Sequence, residues 1–350
     1  MEHIIRNCWQ TTVLIVYFIG LLSGLNADPF PITFYDYQQV INNYSPQVAA
    51  VGGLNITEPT NTHTAFYNPA LLAFREKTVI TATLRYFSEA KTAYGVDQQP
   101  VHDSSKWYRN DFSYLGIDSH NIGFSYVALA DLKLERDYET EGESERLYLD
   151  YYLDAYRFSF AERSGLLAFG FNLSFLTGRT VYLRELSQDD VYISEQFVDS
   201  RSWGYNVDFG AAVKSGGLSY GLTIPNLLSR VYWKDHPSYS LQRRLQAGIQ
   251  WGEDENYLLA GISRKFDFSS DNLYHFGLER AISFGLLRGD YQYMPLRLGL
   301  FTEQFNNLKD IGYAFGTGFQ YSMLQIDLSY MMIDQEKKNY AVLLSLSAGI

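Results

Sequence analysis

The sequence predicts an all-β fold: a transmembrane antiparallel β-barrel of about fourteen strands, preceded by a short N-terminal plug that contains a small helix. From Thr78 onward, apolar and polar residues alternate with a period of two. The composition holds 29 Tyr, 23 Phe and 27 Gly but 9 Pro, which suits pleated surfaces and tight barrel interiors. Through the first half, long connections alternate with tight ones, as external loops and periplasmic turns do in outer-membrane barrels.

The leader comes first. Met1–Gln10 carries Arg6, Thr11–Leu22 is apolar, and Ser23–Ala27 is small and polar. That order is a secretory signal peptide, residues 1–27, cut after Ala27. The apolar stretch is too short to span a bilayer as a helix, and no later stretch reaches about eighteen apolar residues. The single cysteine, Cys8, lies inside the leader. The mature chain is therefore expected to hold neither a disulfide nor a thiolate metal site.

Residues 28–77 are expected to form the plug. Asn68 can cap a first helical turn and Pro69 suits the first helical position, so a short helix is expected from Asn68 to about Phe74. The plainer alternative is that Asn-Pro only turns the chain into the first strand. A barrel of about fourteen strands leaves a lumen that side chains alone do not fill. The many apolar residues of 28–77 would be a large exposed patch in water, and inside the lumen they are covered.

The barrel occupies 78–350, with strands near 78–88, 110–118, 120–131, 149–162, 165–183, 202–214, 216–228, 241–251, 256–268, 271–284, 289–301, 309–321, 322–333 and 339–350. Long external loops are expected at 89–109, 132–148 and 184–201, with tight turns near His120, Gly165 and Gly216. The acidic stretch Asp131–Asp150 reads as a solvated external loop. Phe209 and Phe315 fall on the lipid face, Asp208 and Gly316 on the lumen face. A net charge of −11 with no basic stripe excludes a nucleic-acid partner.

Two phrases, Ala49-Ala50-Val51-Gly52-Gly53 and Phe66-Tyr67-Asn68-Pro69-Ala70-Leu71-Leu72, resemble the opening of FadL-type outer-membrane transporters and their PorV/PorQ-type relatives. Gly221-Leu222-Thr223-Ile224-Pro225-Asn226-Leu227 and Leu296–Leu300 with Gly316–Phe319 match more loosely. Ile350 departs from the family's usual terminal aromatic, and the acidic stretch has no counterpart. The resemblance implies a bacterial outer-membrane protein, seated in the lipid bilayer, that takes up hydrophobic or amphipathic small molecules such as long-chain fatty acids. The alternative it implies is a PorV/PorQ-type secretion component that binds secreted proteins. The transport reading requires an apolar pocket at the plug and a gap in the wall; the secretion reading requires a sealed lumen.

On that resemblance, ligand contacts are expected from Phe66, Tyr67, Asn68, Pro69, Leu71, Leu72 and Phe74 of the plug. The lumen face presents Arg85, Arg157, Asp208, Arg244, Gln246, His275, Glu279, Arg297 and Asp327. These either pair with one another in a polar interior, or one or two arginines receive a ligand carboxylate with their fork of donors. Neither a cofactor nor a metal is expected. No serine falls on a strained Gly-x-Ser-x-Gly turn, since the phrase Gly217–Gly221 has that spacing but lies inside the expected strand 216–228, and no His-Glu-x-x-His spacing is present. A hydrolase stands as a third reading only because triads assemble in space.

Overall fold

The computed structural model describes residues 44–87, 106–108, 112–140, 143–188, 191–235, 238–253, 256–266, 272–287, 290–303, 311–334 and 339–350. The expected leader, 1–27, and the first part of the expected plug lie outside the described residues.

Alternation becomes fifteen strands among the described residues: β1 Val79–Phe87, β2 Lys106–Tyr108, β3 Phe112–Ser119, β4 Ile122–Thr140, β5 Glu143–Ser164, β6 Leu167–Gln188, β7 Val191–Ser215, β8 Leu218–Trp233, β9 Arg244–Glu253, β10 Asn256–Lys265, β11 Asn272–Leu287, β12 Asp290–Thr302, β13 Gly312–Tyr321, β14 Leu324–Asp334 and β15 Asn339–Gly349. All but the short β2 form a closed antiparallel wall of fourteen. β1 closes it against both β15 and β3, pairing Val79 with Gly349 on one side and Asp118 on the other. Each of these fourteen strands thus has a neighbour on both sides, as a barrel in hydrocarbon requires.

The wall is inside-out by the standards of a water-soluble protein. Leu298, Phe315 and Leu328 are 59%, 50% and 46% exposed, while Arg85, His275 and Asp327 are at most 1% exposed. A contiguous apolar band on the outside of a closed sheet is stable only against lipid. Trp203 stacked on Tyr232 marks one rim, and Trp251 and Tyr220 lie towards the tight turns.

The long connections differ from expectation. Residues 132–140, 143–148, 184–188 and 191–201 continue as strands, so β5, β6 and β7 run for 22, 22 and 25 residues. Crossing the bilayer takes roughly 9–11. The acidic stretch is thus a ladder, Lys133↔Asp150 through Thr140↔Glu143, and not a loop. Bidentate pairing of Arg179 with Asp199 at 2.8 and 2.9 Å shows how such a charged ladder persists in water.

Within the ring, residues 44–77 fold as α1 Pro46–Ala50, α2 Thr64–Tyr67 and a 3₁₀ turn, Pro69–Phe74. Asn68 caps that last turn, its Oδ1 accepting from Ala70 N at 3.1 Å. The expected short helix is thus a 3₁₀ turn, and it lies hard against the wall. A Cβ on Gly170 would sit 2.5 Å from Ala70 N. Lumen glycines supply the plug's seat, and Gly277 would likewise bring a Cβ within 2.7 Å of Val51 Cβ.

Candidate functional site

Among the described residues, cavities lie on both sides of the plug. Towards the tight turns lies a polar vestibule of about 740 Å³, lined by Asn55, Glu58, Arg75, Glu279, Arg297 and Gln325 among others. On the opposite side is a pocket of about 170 Å³ whose lining is mostly apolar: Tyr44, Phe66, Tyr67, Leu129, Tyr151, Leu153, Pro225 and Leu241, with Arg157, Asp208, Asn226, Gln242, Arg244 and Gln246 as its polar members.

Local chemistry fixes the pocket's floor. Tyr44 packs edge-on against Phe66 at 4.8 Å, and its hydroxyl donates to Ala128 O of the wall at 3.2 Å. The Tyr67 oxygen accepts from Tyr44 N and Ser45 N at 3.0 and 3.2 Å. Burial raises both phenols above their ordinary range, so they stay neutral and serve as rigid apolar plates. Arg85 lies over the Tyr44 ring at 4.5 Å, beneath the pocket and not in its lining.

Arg157 ties the pocket to both plug and wall. It lies over Phe66 at 4.7 Å, and its Nη2 reaches Asp208 Oδ2 at 3.2 Å. Its Nε donates to Ser174 at 3.2 Å and its Nη1 to Phe66 O at 3.4 Å.

Beside this group the wall is broken. The β8–β9 ladder runs from Leu218↔Trp251 to Thr223↔Gln246 and stops; further up, among the described residues, backbone pairing is limited to the bridge from Val231 to Tyr239 of the segment before β9. Between β7 and β8 the register shifts, so that Pro225, Asn226 and Leu227 all stand opposite Asp208. Proline supplies no ladder donor, and Asn226 takes a left-handed φ of 57° that asparagine tolerates well. From Ile224 to Leu228 the buried–exposed alternation lapses into uniform half-burial. Side chains replace the missing ladder: Asn226 Nδ2 donates to Gln242 O at 2.7 Å, and Leu241 N donates to Ser229 Oγ at 2.9 Å.

The sequence-derived candidates divide accordingly. Phe66, Tyr67, Arg157, Asp208, Arg244 and Gln246 line the pocket. Asn68 and Pro69 instead fasten the plug to the wall, and Leu71 packs with Ala168 and Ala212. Leu72 O accepts from Asn121 N of a tight turn at 3.2 Å, and Phe74 lies under Arg163 at 4.6 Å. His275 is a plug tether: Nδ1 meets Gly52 O at 2.6 Å and Nε2 meets Ser263 at 2.9 Å. Arg297 joins Glu279 and Asp327, each at 2.6 Å, beside the vestibule. Tyr44, Tyr151, Asn226, Leu241 and Gln242 are not among the sequence-derived site candidates; a proline in the middle of an alternating run, Pro225, is the available signal. Among the described residues no group of His, Cys, Asp or Glu is placed to hold a metal ion.

A closed barrel of fourteen strands around an N-terminal plug is the fold of FadL-type outer-membrane transporters. Among solved structures, the chain is similar to the Ralstonia pickettii toluene transporter TbuX, with a TM-score of 0.55 and 10% identity over 88% of this chain and 98% of that one. It is also similar to the P. putida toluene transporter TodX (0.52, 12%, 89% and 99%) and to a Pseudomonas aeruginosa FadL homologue (0.52, 11%, 92% and 98%). At these identities the agreement concerns fold. No protein-family model and no curated protein matches the sequence.

Proposed function

We propose that the chain is a bacterial outer-membrane channel that admits hydrophobic or amphipathic small molecules of the long-chain fatty-acid kind. The observation that carries this reading is the coincidence of an apolar, arginine-bearing pocket with a wall left unladdered between Thr223 and Val231. A pocket of about 170 Å³ is below the roughly 300–1,000 Å³ of sites that enclose a whole drug-sized ligand. It therefore accepts one end of a long molecule, and the break in the wall lies where the remainder would pass. Arg157 and Arg244 stand where a head group would lie, with Tyr44, Phe66 and Tyr151 against the tail. The solved neighbours whose names specify toluene transport support a hydrophobic cargo. The secretion reading calls for a sealed lumen, and the break at β8–β9 speaks against it. Among the described residues that line the pocket, none pairs a nucleophile with a base.

The test is uptake. Proteoliposomes should accumulate a labelled long-chain fatty acid faster than protein-free liposomes, and a pull-down from native membranes should retain no secreted protein. Absence of uptake for both a fatty acid and toluene, with a secreted protein captured, would replace this reading by the secretion one.

A further inference from the structure

Asp208 stands between the pocket cation and the broken wall, and its two oxygens face different ways. Oδ2 takes Arg157 Nη2 at 3.2 Å and Asn172 Nδ2 at 3.2 Å. Oδ1 takes the backbone N–H of Asn226 at 2.8 Å and Asn206 Nδ2 at 2.8 Å. Asn226 in turn reaches across the break to Gln242 O at 2.7 Å. One 5%-exposed carboxylate thus joins Arg157, the plug residue Phe66 beneath it, the bulge of β8 and, through Asn226, the segment that leads into β9.

We infer that Asp208 is a specificity-determining latch: an anionic head group that takes Arg157 from Asp208 loosens the wall at Asn226, whereas a neutral ligand of the same shape leaves the wall held. The inference rests on the channel reading and deepens it by naming which cargo opens the wall. A buried carboxylate whose countercharge is taken away is costly where it stands. It relaxes by turning towards water, and then Asn226 N loses its acceptor. Pro225 donates nothing and the ladder to β9 is absent there, so beside this bond the bulge is held across the break by the Asn226 side chain on Gln242 O. A neutral ester or hydrocarbon offers Arg157 nothing that competes with a carboxylate, and the ion pair stays closed. Ligand and wall are then coupled by differential interaction with the closed and open states, as any ligand-driven change requires.

Reciprocity makes the inference testable. Asp208→Asn keeps an acceptor oxygen for Asn226 but removes the charge that competes for Arg157. The variant should bind a long-chain fatty-acid anion about tenfold tighter and take it up about tenfold more slowly, while the methyl ester is unaffected in both. A role in shape alone would lower binding and uptake together. Opening is read directly by placing Leu241→Cys at the break, in a chain with Cys8→Ser, and measuring its reaction with a lipid-soluble maleimide. In the parent the anion should speed labelling and the ester should not; in Asp208→Asn neither should. Arg157→Gln is the second variant, with Asp208 stripped of its countercharge. It should label quickly with or without ligand.

Labelling that responds equally to anion and ester, or Asp208→Asn that leaves binding and uptake unchanged, would overturn the latch. If the parent takes up neither acid nor ester, the channel reading itself falls. Equal uptake of both would keep the channel and remove the latch.

Discussion

Arg297 and Asp327 meet at 2.6 Å across β12 and β14, and the same guanidinium holds Glu279 of β11 at 2.6 Å. Tyr257 donates to Glu279 at 3.1 Å and accepts from Asn55 of the plug at 3.2 Å. One cation thereby ties three wall strands to each other and, through Tyr257, to the plug. Removing it leaves two buried carboxylates without a countercharge. Arg297→Met should cost about 3–5 kcal/mol in a folding titration into liposomes. Replacing all three by apolar residues should recover most of that loss. A loss below about 1 kcal/mol for Arg297→Met would show that the carboxylates find other partners.

Phe315 stands 50% exposed on the outer face, stacked on Tyr330 at 5.0 Å, while Gly316 next to it faces the plug, where a Cβ would come within 2.6 Å of Ala50 Cβ. Phe315→Arg should cost about 2–4 kcal/mol if it lies near the bilayer midplane. Gly316→Arg should leave the wall's stability near the parent's and expel the plug, seen as protease cleavage between 44 and 77. Equal wall destabilisation by the two variants would contradict the assigned faces.

This division into faces was legible because side chains alternate strictly along a strand, so a run such as Trp203–Lys214 needs no tertiary information to be sorted. The broken wall was not legible for the same reason. Ser219, Gly221 and Thr223 point inward before the break, and Ser229, Val231 and Trp233 point inward after it. Two extra residues shift the register and preserve the parity, so a period of two passes across them unchanged. The strand extensions are hidden for a different reason. Charge-rich sequence reads as loop, yet a ladder in water favours opposite charges across it, as Arg146 and Glu185 show at 3.7 Å. Ion pairing across strands depends on register, which no single segment reveals.

His63 carries a pH dependence. It lies buried in the plug, with Nε2 meeting Thr83 at 2.7 Å, Nδ1 meeting Thr62 at 2.9 Å and Tyr114 packed at 4.4 Å. Burial, then repulsion from Arg75, lowers its pKa to about 3. Free histidine titrates near about 6.5. Between those values a released plug binds a proton that the seated plug does not, so seating is fully favoured above about 6.5 and is lost as pH falls towards 3. Protease protection of residues 44–77 should weaken over that window, and His63→Gln should flatten the profile. A flat profile in the parent would mean that the imidazole does not report plug seating.

Asn68 joins plug and wall by more than its cap. Oδ1 accepts from Ala70 N at 3.1 Å, while Nδ2 donates to Ile56 O at 2.8 Å and to Ala211 O of β7 at 3.1 Å. Losing the cap alone costs about 0.5–2 kcal/mol, and aspartate caps a helix about as well as asparagine. Aspartate has no amide, however, and would turn a carboxylate oxygen towards two carbonyls. If capping is the whole role, Asn68→Asp should behave like the parent and Asn68→Ala should not. With the tether decisive, both variants loosen the plug, and Asp does so more than Ala. The wall is held by its own closed ladder, so its stability should barely change in either variant. A loosened plug leaks: in a planar bilayer, Asn68→Asp should show noisy ion conductance above that of Asn68→Ala, and the parent should be silent. Full rescue by aspartate would reduce Asn68 to a helix cap; a wall that fails to assemble would place its contribution in the barrel and not in the plug.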